Sequence, residues 1–254
     1  FLVADKSIER IAHLRPFRLP GGDKAVKEPR RTALGLLHEL SGHHDKLLLQ
    51  VKQKFAYVFS ARELAALRTM LAKQLNSPLT SSVGRLFDAV ASLVNLRQQI
   101  RFEGQAAMEL EFALEGVKTD EVYPLPIADC RLPIESTANR ARGSSRLMPH
   151  ASCVLDWSSM ILEILADVDR NISSGVISAK FHNSLAEAIV AVAKRAGQNR
   201  VVLSGGCFQN RYLTERAVRR LQAEGFHPYW HQRVPPNDGG IALGQVIAAR
   251  RING

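Results

Sequence analysis

Apolar residues in this chain recur mostly at helical spacing, with strand-like runs at its opening and in its last quarter. Phe1-Leu-Val-Ala4 reads as a strand, followed by a Pro- and Gly-rich loop over Arg15–Asp23. Helical spacing then predicts one helix from about Ala25 to Leu40, with Pro29 in its first turn. Ser60-Ala-Arg-Glu63 is a capping box, in which hydroxyl and carboxylate satisfy free backbone N–H groups. It predicts a helix to about Leu75 with Leu64, Leu67 and Leu71 on one face. Thr80-Ser-Ser opens another helix, striped by Leu86, Val90, Leu93 and Val94, with Gly84 and Asp88 one turn apart on a different face. Further helices are expected from Gly104 to Leu114, closed by Gly116, from Trp157 to Val168, and from Val176 to Lys194. Residues 117–150 read as irregular, with a short strand near Val122. The last quarter alternates strand 200–204, helix 211–224, strand 226–231 and helix 240–250, which implies an α/β architecture.

With 254 residues, 46% of them hydrophobic, the chain can bury a sizeable core as one large domain or two small lobes. No apolar run approaches the roughly 20 residues of a membrane span, and no leader points to secretion. Cys130, Cys153 and Cys207 are odd in number and far apart, making neither a disulfide framework nor a zinc knuckle, so a cytoplasmic location is expected. Because Phe1-Leu-Val-Ala4 looks like a strand in mid-sheet, the chain is expected to be an excerpt of a longer polypeptide. The net charge of +10 invites a nucleic-acid partner, but the basic residues are dispersed and few aromatics interleave with them. Their densest group, Arg131, Arg140, Arg142 and Arg146, reads as solvated surface or a patch for an acidic partner.

Candidate chemistry concentrates near the C-terminus. Val201-Val-Leu-Ser-Gly-Gly-Cys-Phe-Gln-Asn210 reads as a strand entering a Gly-Gly turn and then a helix. Pro235-Pro-Asn-Asp-Gly-Gly-Ile-Ala-Leu-Gly-Gln245 reads as a loop with Asp238 at the mouth of a helix. Such a turn lets backbone N–H groups approach a nucleotide, or it is a packing turn. Asp238 is either a helix cap or a ligand to a metal or a ribose hydroxyl. Asp88 is either a solvated helix carboxylate or a ribose or substrate ligand in space cleared by Gly84. His43, His44 and His182 form no i, i+4 metal pair and read as surface or packing residues. Cys207 lacks an obvious base and reads as a small buried hydrophobe.

Six blocks in fixed order resemble the HypF family of carbamoyltransferases, which mature nickel–iron hydrogenases. They are Leu14-Arg-Pro-Phe-Arg-Leu-Pro-Gly-Gly-Asp23, Ser81-Ser-Val-Gly-Arg-Leu-Phe-Asp-Ala-Val90, Phe102-Glu-Gly-Gln-Ala-Ala-Met-Glu-Leu-Glu111, Phe181-His-Asn-Ser-Leu-Ala-Glu187, Leu203-Ser-Gly-Gly-Cys-Phe-Gln-Asn-Arg211 and Val234-Pro-Pro-Asn-Asp-Gly-Gly-Ile-Ala-Leu-Gly-Gln245. The resemblance implies the two-lobed sugar kinase/Hsp70/actin-like (RNase H-like) α/β fold that closes on ATP. It places the whole of 1–254 in the C-terminal carbamoyltransferase domain, with 1–170 as insert and first-lobe remainder and 171–254 as the nucleotide-binding lobe. It further implies that Gly84, Asp88, Glu103, Gly104, Gly205, Gly206 and Asn210 line the nucleotide site, and that Asp238 is a metal ligand. Ala242 and Gly244 would be close-packed in a connecting helix.

The implied cofactors are ATP, as carbamoyl adenylate made from carbamoyl phosphate, and a divalent metal, zinc or iron. The implied partner is HypE, whose C-terminal cysteine takes the carbamoyl group in an ATP-dependent protein modification of ligase type overall. The chain departs from the family in lacking the first phosphate-binding hairpin and the His-x-x-x-His metal pair, which lie upstream there. Two alternatives stand beside this reading. The related tRNA threonylcarbamoyl transferases usually carry carboxylates where this chain has Thr80-Ser-Ser, and their aspartate loop tends to read Thr-Asp-Asn-Gly. A non-catalytic docking or nucleotide-binding remnant is the other.

Overall fold

The structure, a computed structural model, describes residues 1–4, 7–40, 58–128 and 152–253. Strands β1 (Leu2–Ala4) and β2 (Ser7–Glu9) pair antiparallel, with Leu2 opposite Glu9. Next come β3 (Ala12–Leu14) and β4 (Phe17–Arg18), and then α1 (Asp23–Lys27) and α2 (Pro29–Leu40). The single helix expected from Ala25 to Leu40 is therefore broken, with Glu28 between the two pieces at φ −126°, ψ 84°. Pro29 is the cause. Its ring clashes with a helical conformation of the residue before it, yet suits the first position of the next helix. The break turns Glu28 inward, where its carboxylate meets Arg30 at 2.7 Å and Arg31 at 2.8 Å.

Both arginines also reach Glu63 in the first turn of α3 (Ala61–Ala72), at 3.1 and 2.9 Å. Ser60 caps that helix by accepting from the Glu63 N–H at 3.2 Å. The helix stops short of Leu75, and Gln74 and Asn76 beyond it take left-handed φ values of 56° and 42°. β5 (Leu79–Thr80) then pairs antiparallel with β4, Phe17 opposite Thr80. α4 (Val83–Leu93) is capped by Ser82 and buries Leu86, Val90 and Leu93, as the spacing predicts. It packs along α2 and along α5 (Gln105–Ala113).

The short strand expected near Val122 lies instead at β6 (Ile127–Ala128). It pairs antiparallel with β7 (Cys153–Leu155), which also runs parallel to β3 in the order β3-β7-β6. α6 (Ser158–Asp169) leads to α7 (Ser174–Ala196), which buries Ile177, Phe181 and Leu185. The last quarter follows the expected alternation: β8 (Arg200–Leu203), a 3-10 turn over Gly206–Gln209, α8 (Arg211–Ala223), β9 (His227–Trp230), a turn over Asp238–Gly240, and α9 (Ile241–Asn253). β8 and β9 are parallel, with Val202 opposite Tyr229.

One hydrophobic core runs from Leu14 and Phe17 to Leu213 and Leu221. At its centre Phe87 of α4 meets Phe181 of α7 edge-on, ring centroids 5.0 Å apart. The C-terminal elements also leave apolar surface in solvent: Val202 and Tyr229 on the β8–β9 pair, and Ile241, Leu243, Val246 and Ile247 on α9. Ala242 and Gly244, expected to be close-packed, are exposed, and nothing lies within 4 Å of a Cβ built on Gly244. The reason is that α9 meets the described chain chiefly through the turn that precedes it.

The tightest helix-to-strand approach sets a testable limit. A Cβ on Gly35 in α2 would lie 1.9 Å from the Arg18 carbonyl oxygen of β4. Backbone cannot yield as a flexible side chain does, so Gly35→Ala is expected to destabilise by about 3 kcal/mol or more. Thermal unfolding checks this, and a midpoint equal to that of the parent chain contradicts it.

Candidate nucleotide site

The site begins with a carboxylate that cannot reach water. Asp88 sits in the second turn of α4 and is 1% exposed, which removes the solvated-carboxylate alternative. Its Oδ2 lies 2.6 Å from Arg85 Nη1, whose guanidinium also donates to the Val26 carbonyl at 3.2 Å. The Asp88–Arg85 contact is an ion pair without hydrogen-bond alignment, so Oδ2 is buried and has no hydrogen-bond donor. A buried acceptor left unmet costs about 1–3 kcal/mol, more for a charged group. Burial pushes the carboxyl up to about 7; Arg85 pulls it down and the charge of Glu103 adds to the rise.

Around this carboxylate the backbone is bare. A Cβ on Gly84, one turn earlier on the same helix, would find only Ser82 Oγ nearby, at 3.6 Å. Gly104 is the N-cap of α5 at φ 81°, with open space where a side chain would be. Glu103 beside it is exposed.

The second half of the site comes from β8. The strand runs into Ser204 and Gly205, and Gly205 adopts φ 104°, a left-handed conformation that favours glycine. Its N–H donates to the Pro236 carbonyl at 2.9 Å, so the Ser-Gly-Gly turn and the Pro-Pro-Asn-Asp loop, distant in sequence, lie against each other. Ser204 Oγ and His231 Nε2 are 2.9 Å apart beside them. Gly206 is open: a Cβ there would reach Asn237 at 3.9 Å, an ordinary contact.

Two side chains take roles that spacing alone did not assign. Asn237, not Asp238, caps the Asp238–Gly240 turn, accepting from the Gly239 N–H at 3.1 Å. Asp238 is left exposed, with no side-chain partner among the described residues. Asn210 caps α8, accepting from the Leu213 N–H at 2.8 Å, while its Nδ2 lies 2.8 Å from His182 Nε2.

The Gly206–Gln209 turn brings the halves together by lying against α4. Cys207 on that turn feels the charges of both Arg85 and Asp88. Burial dominates and pushes its thiol up to about 11, so at neutral pH Cys207 is a thiol and a poor nucleophile. The fold thus joins Asp88 to Glu103–Gly104 on one side and to the Gly205–Gly206 turn on the other, with Asp238 on the adjoining loop. Arg85 was missed, although its place three residues before Asp88 puts both on one helix face.

The described residues do not by themselves complete a metal site. Among the described residues no group of three or more His, Cys, Asp or Glu side chains converges. Asp238 would be a lone donor. His182 has both ring nitrogens occupied, by the Ser178 carbonyl at 2.7 Å and by Asn210. His43, His44, Cys130, Arg131, Arg140, Arg142 and Arg146 lie outside the described residues. No helix among the described residues is long and apolar enough to cross a membrane.

Comparison with known proteins defines the class first. Residues 1–245 match the family model described as carbamoyltransferase, Kae1-like domain, second subdomain. The fold agrees. A crystal structure of full-length HypF in the phosphate- and nucleotide-bound form superposes with a TM-score of 0.81 at 36% identity, covering 98% of this chain and 30% of that one. The HypF structure from T. kodakarensis gives a TM-score of 0.73 at 25% identity, covering 96% of this chain and 30% of that one. Among curated proteins, carbamoyltransferase HypF of Synechocystis is 37% identical, aligned over 94% of this chain and 30% of its own length. HypF2 of Cupriavidus necator is 34% identical, over 98% of this chain and 30% of its own length. The chain belongs to the HypF carbamoyltransferase family, and it spans about 30% of the length of these relatives.

The state of Asp88 yields a signed prediction. Its folded value of about 7 lies above the ordinary 3.8, so the folded chain holds this proton more tightly than the unfolded one. The stability this contributes is full below pH 3.8 and is lost as pH rises through 7. Asp88→Asn removes that loss. The unfolding midpoint of the variant minus that of the parent is therefore expected to grow by several degrees between pH 5 and pH 8. A difference that is constant or shrinks with pH contradicts the assignment.

Proposed function

We propose that this unit binds carbamoyl adenylate, formed from carbamoyl phosphate and ATP, and passes its carbamoyl group to the C-terminal cysteine of HypE in the cytoplasm. The observation that carries the reading is the unmet, buried Asp88 oxygen on a helix against which the Gly206–Gln209 turn packs. A ribose hydroxyl is the kind of donor that oxygen lacks. Bare backbone at Gly84, Gly104, Gly205 and Gly206 is what close approach of a nucleotide needs. The family membership supplies the carbamoyl group. The HypE thiolate attacks the carbamoyl carbon; a C–S bond forms, the C–O bond to the phosphate breaks, and AMP leaves with the electron pair. A thiolate brought by the partner suits a chain whose Cys207 is held as the thiol.

Carbamoyl adenylate hydrolyses readily, so the transfer benefits from exclusion of water. The apolar residues exposed on β8, β9 and α9 are the kind of surface a complementary subdomain would cover. The description of the matched family model as a second subdomain supports that arrangement. Residues 1–170 and 171–254 would then both belong to one lobe-forming unit of a larger transferase domain.

The test is intact-mass analysis of HypE after incubation with pre-formed carbamoyl adenylate. It uses this chain alone and this chain joined to the upstream segment of the Synechocystis relative. The joined form is expected to add one carbamoyl group to the C-terminal cysteine, and Asp88→Asn to slow that at least about tenfold, the worth of one charge-assisted hydrogen bond. No transfer by either form would remove the proposal.

A further inference from the structure

His182 lies on α7, fully buried, and the chain fixes both of its nitrogens. Nδ1 is 2.7 Å from the Ser178 carbonyl oxygen. A carbonyl can only accept, so Nδ1 carries the hydrogen and, in the neutral ring, Nε2 presents a lone pair. Burial lowers the imidazole to about 4, the bond to Ser178 acting the other way, so the ring is neutral at physiological pH. The lone pair on Nε2 faces Asn210 Nδ2 at 2.8 Å, which must therefore donate. At its other end, Asn210 Oδ1 accepts the Leu213 backbone N–H at 2.8 Å. Turning the amide over would set oxygen against a lone pair and NH2 against N–H. Two backbone groups, the Ser178 carbonyl and the Leu213 N–H, thus fix the direction of the whole relay. Packing holds the ring in place, with Phe87, Phe181 and Tyr212 edge-on at 5.2, 5.7 and 5.6 Å.

We propose that His182 is a positioning residue for the nucleotide site, locking the Asn210 amide in one orientation at the end of the Gly206–Gln209 turn so that its remaining N–H is offered to the bound nucleotide. The proposal rests on the reading of this site as a nucleotide site. It accounts for a polar ring in the middle of a core that otherwise has no use for one. A phenylalanine would fill the volume and contact the same rings. It would leave Asn210 Nδ2 without its acceptor, free to rotate away or to compete with the cap.

ATP titration of the chain and three variants tests this. His182→Phe is expected to weaken ATP binding about tenfold, near the upper worth of one neutral hydrogen bond. Asn210→Ser keeps a hydroxyl able to cap α8 but removes the NH2, and should lose as much. The double variant should bind no more weakly than Asn210→Ser alone, because the two changes break one path. His182→Gln, whose carbonyl can still accept from Asn210, should retain ATP affinity within about threefold, as rescue of that hydrogen bond predicts. A merely structural histidine gives losses that add, or a His182→Phe chain that binds ATP as the parent does; either overturns the proposal. Should His182→Phe fail to fold, the glutamine rescue and the imidazole nitrogen shifts of the parent chain decide: a ring protonated at Nε2 overturns the relay. A parent chain that binds no ATP while showing the Nδ1-protonated ring overturns the nucleotide reading and with it the positioning role, leaving the relay as a structural feature.

Discussion

Packing α4 against α2, α5 and α6 forces Asp88 out of contact with water, and the rest of the site is arranged around the consequences. Arg85 lies close enough to pair with the carboxylate but is also drawn to the Val26 carbonyl, so its charge reaches Asp88 without a hydrogen bond. The Gly206–Gln209 turn presses against the same helix and places Cys207 in the same field. A core that spent its interior on an incompletely satisfied carboxylate would be less stable than one with an apolar residue there.

The helices of the last quarter and the long α7 were legible because each carries enough turns for apolar spacing to show, and α3 and α4 also because Ser60 and Ser82 mark their starts with side chains that satisfy free N–H groups. The strands β2, β3, β4, β5 and β7 were not legible. Each has only two or three residues, too few for alternation to appear, and all but β2 pair with partners far along the chain, as β3 and β7 do. The break at Glu28 was readable from Pro29, but helical periodicity on both sides concealed it.

The candidate site divides in the same way. Glycines at a strand-to-helix turn drew attention to Gly205 and Gly206, and the i, i+4 relation paired Gly84 with Asp88. What spacing could not decide was environment. Whether Asp88 is solvated depends on what packs against α4, and the cap at the Asp238 loop fell to its neighbour Asn237 through a side-chain bond no pattern encodes. The His182–Asn210 bond joins residues in two separate sequence blocks and exists only once α7 and α8 are side by side.

In the proposed reading, α4, the start of α5 and the Gly205–Asn210 segment form one nucleotide site. Backbone amide shifts of the isotope-labelled chain during an ATP titration test it most directly. A single site makes Gly84–Asp88, Glu103–Gly104 and Gly205–Asn210 shift together along one binding isotherm. Shifts confined to one of these segments, following different isotherms, or centred elsewhere in the chain would contradict it.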